Sequence, residues 1–198
     1  MRRSVLLVPG LFLALLLALL LVGAAPLAAQ QRAGDGCTAP APVCAARDAV
    51  FAVSGFSPVA SAVRLGPDLL VTNRHVVADR AEIEVFVPEG PPLRFAVVPT
   101  DYPGDLVLLR GQGLPAGPAL ALATLEAGPV YTVGADVERG RIAVSPPGEV
   151  LARPAEGHPL ARLHHSALSQ PGNSGGALLD AAGHLVAVVA SGGEGRFE

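Results

Sequence analysis

From Ala49 to Glu198 the chain is written in short apolar runs, each broken within a few residues by Gly, Pro, Asp or Asn. This rhythm constrains the fold more than any other feature. An amphipathic helix needs a sustained 3.6-residue period over about ten residues or more, and no such stretch follows the N-terminal segment. Strand candidates fall at 49–53, 60–65, 69–73, 82–87, 93–98 and 106–110, and again at 130–134, 140–145, 160–165, 177–179 and 185–190. In Glu82-Ile83-Glu84-Val85-Phe86-Val87, Ile83, Val85 and Val87 share one face and the acids the other, the period of a half-buried strand. Turn chemistry joins the runs, as in Gly66-Pro67-Asp68 and Asp180-Ala181-Ala182-Gly183. The 23 glycines and 19 prolines supply these turns, and with 4% aromatics and no Trp the core must be built from Val, Leu and Ala. Many short strands at regular spacing predict an all-β barrel or sandwich architecture.

The N-terminus reads differently. Met1-Arg2-Arg3 is a positive start, residues 5–22 are almost wholly apolar, and small residues run from Gly23 to Ala29. The pattern predicts a signal peptide over 1–29, cleaved after Ala29 or Ala25. The apolar run is also nearly long enough to span a bilayer, so an uncleaved anchor is the rival expectation. Either way Arg2 and Arg3 keep the N-terminus inside and export the body of the chain to the periplasm or beyond. In that oxidising compartment Cys37 and Cys44 are expected to pair, within a linker at 30–47 that shows no periodicity. The net charge of -3 gives no basic footprint for nucleic acid. His164 and His165 are adjacent, so on a strand they face opposite sides and cannot chelate one ion together, and His158 and His184 read as loop residues. No metal or other cofactor is expected.

Three segments carry chemistry. Pro171-Gly172-Asn173-Ser174-Gly175-Gly176 sets a serine among glycines, which permit a tight backbone fold that exposes the hydroxyl and converges the amides of Gly172 and Ser174 on one point. Two amides so aimed stabilise a developing oxyanion. Thr72-Asn73-Arg74-His75-Val76-Val77 puts His75 at a strand end, where one helical turn would lift it to a barrel rim. Asp105-Leu106-Val107-Leu108-Leu109 opens an apolar strand with a carboxylate that is costly there unless paired. Singly, each is an ordinary turn serine, loop histidine or strand-capping aspartate. Together, in the order His, Asp, Ser, they match the roles of base, orienting carboxylate and nucleophile when these come from two packed barrels.

These motifs, spaced 30 and 69 residues apart, resemble those of the trypsin-like (chymotrypsin-fold) serine proteases, and within them the bacterial HtrA/Deg-like branch without a PDZ domain. The resemblance covers about residues 49–198. It implies two packed six-stranded antiparallel β-barrels, at about 48–117 and 118–198, the second lacking its last strand if the chain ends where this sequence does. It implies a triad of His75, Asp105 and Ser174, an oxyanion hole from the amides of Gly172 and Ser174, and an acyl-enzyme mechanism acting on protein or peptide substrates. Ala177 stands where the family usually has Pro.

By the same resemblance the floor of the specificity pocket falls at Leu168, with walls near Ser169 and along 188–193, and the substrate pairs as an added strand on Ser191, Gly192 and Gly193. No acid stands at the floor, so the expected preference is for small or medium apolar residues. The rival expectations are a catalytically impaired barrel that binds peptides, and an esterase on the same site.

Overall fold

A computed structural model describes residues 36–55, 59–124, 127–153 and 162–190. The expected signal peptide or anchor, Ser191, Gly192 and Gly193 lie outside the described residues, as do His158, Leu160 and Ala161. Among the described residues no helix is long and apolar enough to cross a membrane.

Among the described residues twelve strands follow in order. The first six are β1 (Val50–Ser54), β2 (Val59–Gly66), β3 (Leu69–Asn73), β4 (Glu82–Phe86), β5 (Leu93–Val98) and β6 (Leu106–Arg110). They close into an antiparallel barrel in the order β1-β2-β3-β6-β5-β4, sealed where Ala52 and Val53 of β1 pair with Phe86 and Val85 of β4. The expected alternation in β4 holds for Ile83 and Val85, which are buried between exposed neighbours. With them Phe51, Val53, Leu70, Phe95 and Leu109 fill the barrel. Phe95 is fully buried, so Phe95→Ala should cost about 3–5 kcal/mol.

The second half supplies β7 (Tyr131–Asp136), β8 (Arg141–Val144), β9 (Val150–Ala152), β10 (His164–His165), β11 (Ala177–Leu179) and β12 (Leu185–Val188). Among the described residues these form a four-stranded sheet, β12-β11-β7-β8, and a separate β9-β10 pair. The second half is thus a partial sheet beside one closed barrel. Its two pieces are tied by reciprocal backbone bonds between Val130 and Gly148, 2.9 and 2.8 Å. Val130, Ala167, Leu178 and Val189 pack at its centre. Strand β9 was not expected from the sequence: Val-Leu-Ala is too short to show a period.

A third cluster joins the halves. Val50, Val63 and Val71 on the outside of the barrel pack against Tyr131, Val133, Ala177 and Leu179. Strand β7 is therefore buried along its whole length, and β2 alternates Ala60 and Ala62 into the barrel with Val63 out toward the second half.

Part of the segment expected as a linker carries regular structure. Within 36–47 the chain forms α1 (Ala41–Ala45), followed by a 3-10 turn at Ala46–Ala49. Proline in the first turn of α1 suits a helix start, where its missing N–H is no loss. Val43 and Ala46 are buried in the cluster between the halves, and Cys37 and Cys44 form a disulfide. A five-residue helix rich in Pro and Ala offers no periodicity to read.

Candidate active site

His75 stands on α2 (Arg74–Val77), the single helical turn expected after β3. Val76 and Val77 bury themselves in the barrel core, which leaves Arg74 and His75 at the rim, both exposed. Asp105 comes from the other side of β3, immediately before β6, whose pairing sets Asn73 opposite Leu106. The register thus carries the aspartate to the histidine across 30 residues of chain.

The contact is two-pronged. The His75 ring Nδ1 lies 2.7 Å from Asp105 Oδ2, and the His75 backbone N–H donates to Oδ1 at 3.0 Å. Facing a carboxylate, Nδ1 is the nitrogen suited to carry the ring proton, which turns Nε2 away from Asp105. The backbone of Asp105 is held too: its carbonyl accepts from the Arg74 N–H and from Asn73 Nδ2, each at 3.1 Å. The side chains are 46% and 25% exposed. A contact so open to solvent is worth about 0–1 kcal/mol to stability.

Ser174 lies in a turn between Asn173 and Gly175, ahead of β11. Sequence reasoning found the serine and its glycines but missed what seats them. The Ser174 carbonyl accepts from the Ser61 N–H at 2.8 Å, and the Ser61 hydroxyl donates to the Gly172 carbonyl at 2.6 Å. The same hydroxyl accepts from the Ala135 N–H at 2.8 Å, and Thr72 Oγ1 donates to the Ser61 carbonyl at 2.7 Å. Ser61 and Thr72 are fully buried, so unpaired hydroxyls there would be costly. The available signal was two hydroxyl residues interrupting otherwise apolar strands. Through this network the serine turn is seated on β2 and β3, and Thr72 is three residues ahead of His75.

Two glycines are required in that turn. Gln170-Pro171-Gly172-Asn173 closes with a bond from the Asn173 N–H to the Gln170 carbonyl, 2.9 Å, and Gly172 has φ +100. Proline followed by a left-handed glycine is the signature of a type II turn. Asn173 braces it, accepting from the Gln170 N–H at 2.9 Å and donating to the Ala135 carbonyl at 3.1 Å. Gly175, at φ +82, lies so close to the Ser61 carbonyl and Thr72 Oγ1 that a β-carbon would collide with both.

Of the expected pocket residues, Leu168 is 44% exposed and its carbonyl accepts from Thr132 Oγ1 at 2.5 Å, while Ser169 is buried. Val189, just past β12, bonds the serine turn: Gly175 N–H donates to its carbonyl and its own N–H to the Gly176 carbonyl, both 2.8 Å. His165 is buried and His164 half-buried, and the register shifts between them. Burial pushes the His165 imidazole below its ordinary pKa, partly opposed by a bond with the Ala167 backbone. Among the described residues no group of three or more His, Cys, Asp or Glu could hold a metal ion.

A closed antiparallel barrel abutting a second, partial β-sheet defines the chymotrypsin-like class of fold. Residues 60–188 match the trypsin-like peptidase domain, and the chain belongs to that family. It is similar to the Rv3671c protease of M. tuberculosis in its inactive form, with 26% identity, a TM-score of 0.62, and 75% of this chain and 80% of that one covered. It is similar to the HtrA-type protease AlgW with a tripeptide, at 29% identity and TM-score 0.61, covering 75% of this chain and 52% of that one. The serine endoprotease from Yersinia pestis is 25% identical with a TM-score of 0.64, covering 79% and 59%. The chain thus spans little more than half the length of the last two. Comparison with curated protein sequences finds no match.

Proposed function

We propose that this protein is a serine endopeptidase that cleaves peptide bonds through an acyl-enzyme. Ser174 is the nucleophile, His75 takes its proton and returns it to the leaving amine, and Asp105 fixes the imidazole tautomer. The amides of Gly172 and Ser174 receive the oxyanion, in keeping with the left-handed Gly172 of the type II turn. The observation that carries this reading is the two-pronged His75–Asp105 contact, 2.7 and 3.0 Å, on the strand whose Thr72 also supports the serine turn.

The proposed preference is for small or medium apolar residues, since Leu168 offers a basic side chain no counter-charge, with substrate backbone pairing along Ser191, Gly192 and Gly193. Protein or peptide chains are the substrates, as the tripeptide bound to AlgW suggests by analogy. The Cys37–Cys44 disulfide supports a home in an oxidising compartment outside the cytoplasm.

A fluorophosphonate probe tests the nucleophile. Wild-type protein should gain one probe mass at Ser174, and Ser174→Ala should gain none. Failure of the folded wild type to label would overturn the enzyme reading in favour of a peptide-binding barrel. A peptide panel cleaved mainly after Arg or Lys would overturn the specificity.

A further inference from the structure

We propose that Arg74 is a positioning residue, a strap that holds the Asp105 loop against the histidine turn. The inference rests on the triad reading above and goes beyond it.

Asp105 ends a segment, 99–105, that has no regular secondary structure. Loops position side chains less precisely than strands do, and a catalytic group must be held to within about 0.5 Å and 10–20°. Something outside the loop must therefore fix it. Three consecutive residues do so from one side. Asn73 Nδ2 and the Arg74 N–H both donate to the Asp105 carbonyl, and the His75 N–H donates to its carboxylate. These bonds secure the C-terminal end of the loop. The guanidinium of Arg74 reaches further back, and its Nη2 donates to the Tyr102 carbonyl. The segment Tyr102-Pro103-Gly104-Asp105 is thus gripped at both ends from a single turn.

Between the two ends the segment has little slack. Pro103 has a fixed φ. The Tyr102 ring lies over Gly104 so closely that a β-carbon there would collide with it. A short, internally packed segment transmits a pull at one end to the other, so the guanidinium bond at Tyr102 bears on where the Asp105 carboxylate sits. Arginine is well suited to such a strap, because its donors are fixed in a planar fork and a charge-assisted bond to a carbonyl is stronger than a neutral one. Arg74 and Tyr102 are both exposed, so the strap contributes little to the core.

The test uses the full chain with Arg74→Ala and Arg74→Lys, in the active form and in a Ser174→Ala background. Two readouts separate positioning from a merely structural role. One is the low-field proton resonance of the His75 Nδ1–H bonded to Asp105, which needs no turnover. The other is the division of the kinetic effect between kcat and KM. We expect the resonance to be sharp in wild type and Arg74→Lys and broadened or lost in Arg74→Ala. We expect Arg74→Ala to lower kcat about tenfold with KM nearly unchanged, and lysine to recover most of it. An unchanged resonance and kcat in a folded Arg74→Ala protein would overturn the proposal. So would a raised KM at unchanged kcat, which would mean that the guanidinium touches substrate. If wild type fails to label with the fluorophosphonate while the resonance still depends on Arg74, the strap stands and the enzyme reading falls.

Discussion

Two histidine–aspartate couples in this molecule share almost the same bonds. In the first, Asp105 takes the His75 backbone N–H on one oxygen and the ring Nδ1 on the other, at 3.0 and 2.7 Å. In the second, Asp180 takes the His184 N–H and ring Nδ1 at 2.9 and 3.0 Å. Their exposures are similar as well, 46% and 25% against 44% and 24%. What differs is how each is made and what stands beside it. His184 and Asp180 are four residues apart in one hairpin turn, where Asp180 also accepts the Ala182 N–H, so the couple forms wherever that turn forms. His75 and Asp105 are 30 residues apart and meet only because β3 and β6 are neighbours in a closed barrel. Thr72, on the same strand as the His75 turn, also helps to seat the serine loop. An oriented imidazole is thus easily made locally. In the His75–Asp105 couple the same geometry is built across the fold, beside a strand that also seats a serine turn.

The sharpest way to break this contrast is kinetic. His75→Ala should lower kcat/KM about 10⁵-fold or more, and Asp105→Asn about 10⁴-fold. His184→Ala and Asp180→Asn should leave it within about twofold. Peptide hydrolysis by the four purified variants decides the matter, and comparable losses at His184 would erase the distinction.

Next in size is the seat of the serine. Gly175→Ala forces a side chain into a left-handed conformation and into the Ser61 carbonyl and Thr72 hydroxyl. Backbone strain and collision together should lower unfolding stability by about 3 kcal/mol or more. Chemical denaturation measures it, and a loss below about 1 kcal/mol would mean that the turn is not locked to β2 and β3 as described.

A third histidine, His165, sharpens the comparison because burial, not a carboxylate, dominates its setting. Its Nδ1 is buried without a hydrogen-bond partner, and burial lowers its pKa from the ordinary 6.5. The unfolded chain therefore binds this proton more readily than the folded one. Stability is unaffected above about pH 6.5 and declines as the pH falls below it, by at most about 1.4 kcal/mol per pH unit. Melting temperatures between pH 7.5 and 5 should show this decline in wild type and a shallower one in His165→Phe. Parallel curves would refute the assignment.

The smallest effect belongs to the local couple. Burial raises the Asp180 pKa, but the His184 backbone and ring bonds outweigh it, leaving the carboxyl below its ordinary 3.8. The couple therefore stabilises the fold above about pH 4 and loses that contribution as the pH falls further. At neutral pH, Asp180→Asn should cost about 1 kcal/mol or less, given the exposure of both partners. Denaturation at pH 7 and pH 3 checks this: the difference between variant and wild type should shrink at the lower pH.

The legibility of the sequence follows the same division. Strands β3, β5, β6 and β11 begin and end where the apolar runs predict, and Gly, Pro or Asp bounds β5, β6 and β11 at both ends and β3 at its start. The single helical turn bearing His75 was readable from its place after a strand. By contrast, α1 and β9 were invisible, being too short to develop a period. The Asp180–His184 couple was missed because His184 read as an ordinary loop residue, though its spacing from Asp180 was in view. Ser61, Thr72 and Asn173, which seat the serine turn, carry no motif of their own. Their importance comes from partners 11 to 111 residues distant.

By itself the sequence determined the strand rhythm, the turns between strands, and the presence of a histidine, a carboxylate and a serine set among glycines. These are local matters, decided by backbone sterics and side-chain period. Only the tertiary structure decided that His75 pairs with Asp105 and not with a nearer acid, and that a buried serine hydroxyl in one half holds the Ser174 turn of the other. Those pairings depend on strand order and register, which are set by burial of apolar surface summed over the whole chain and cannot be read from any one segment of it.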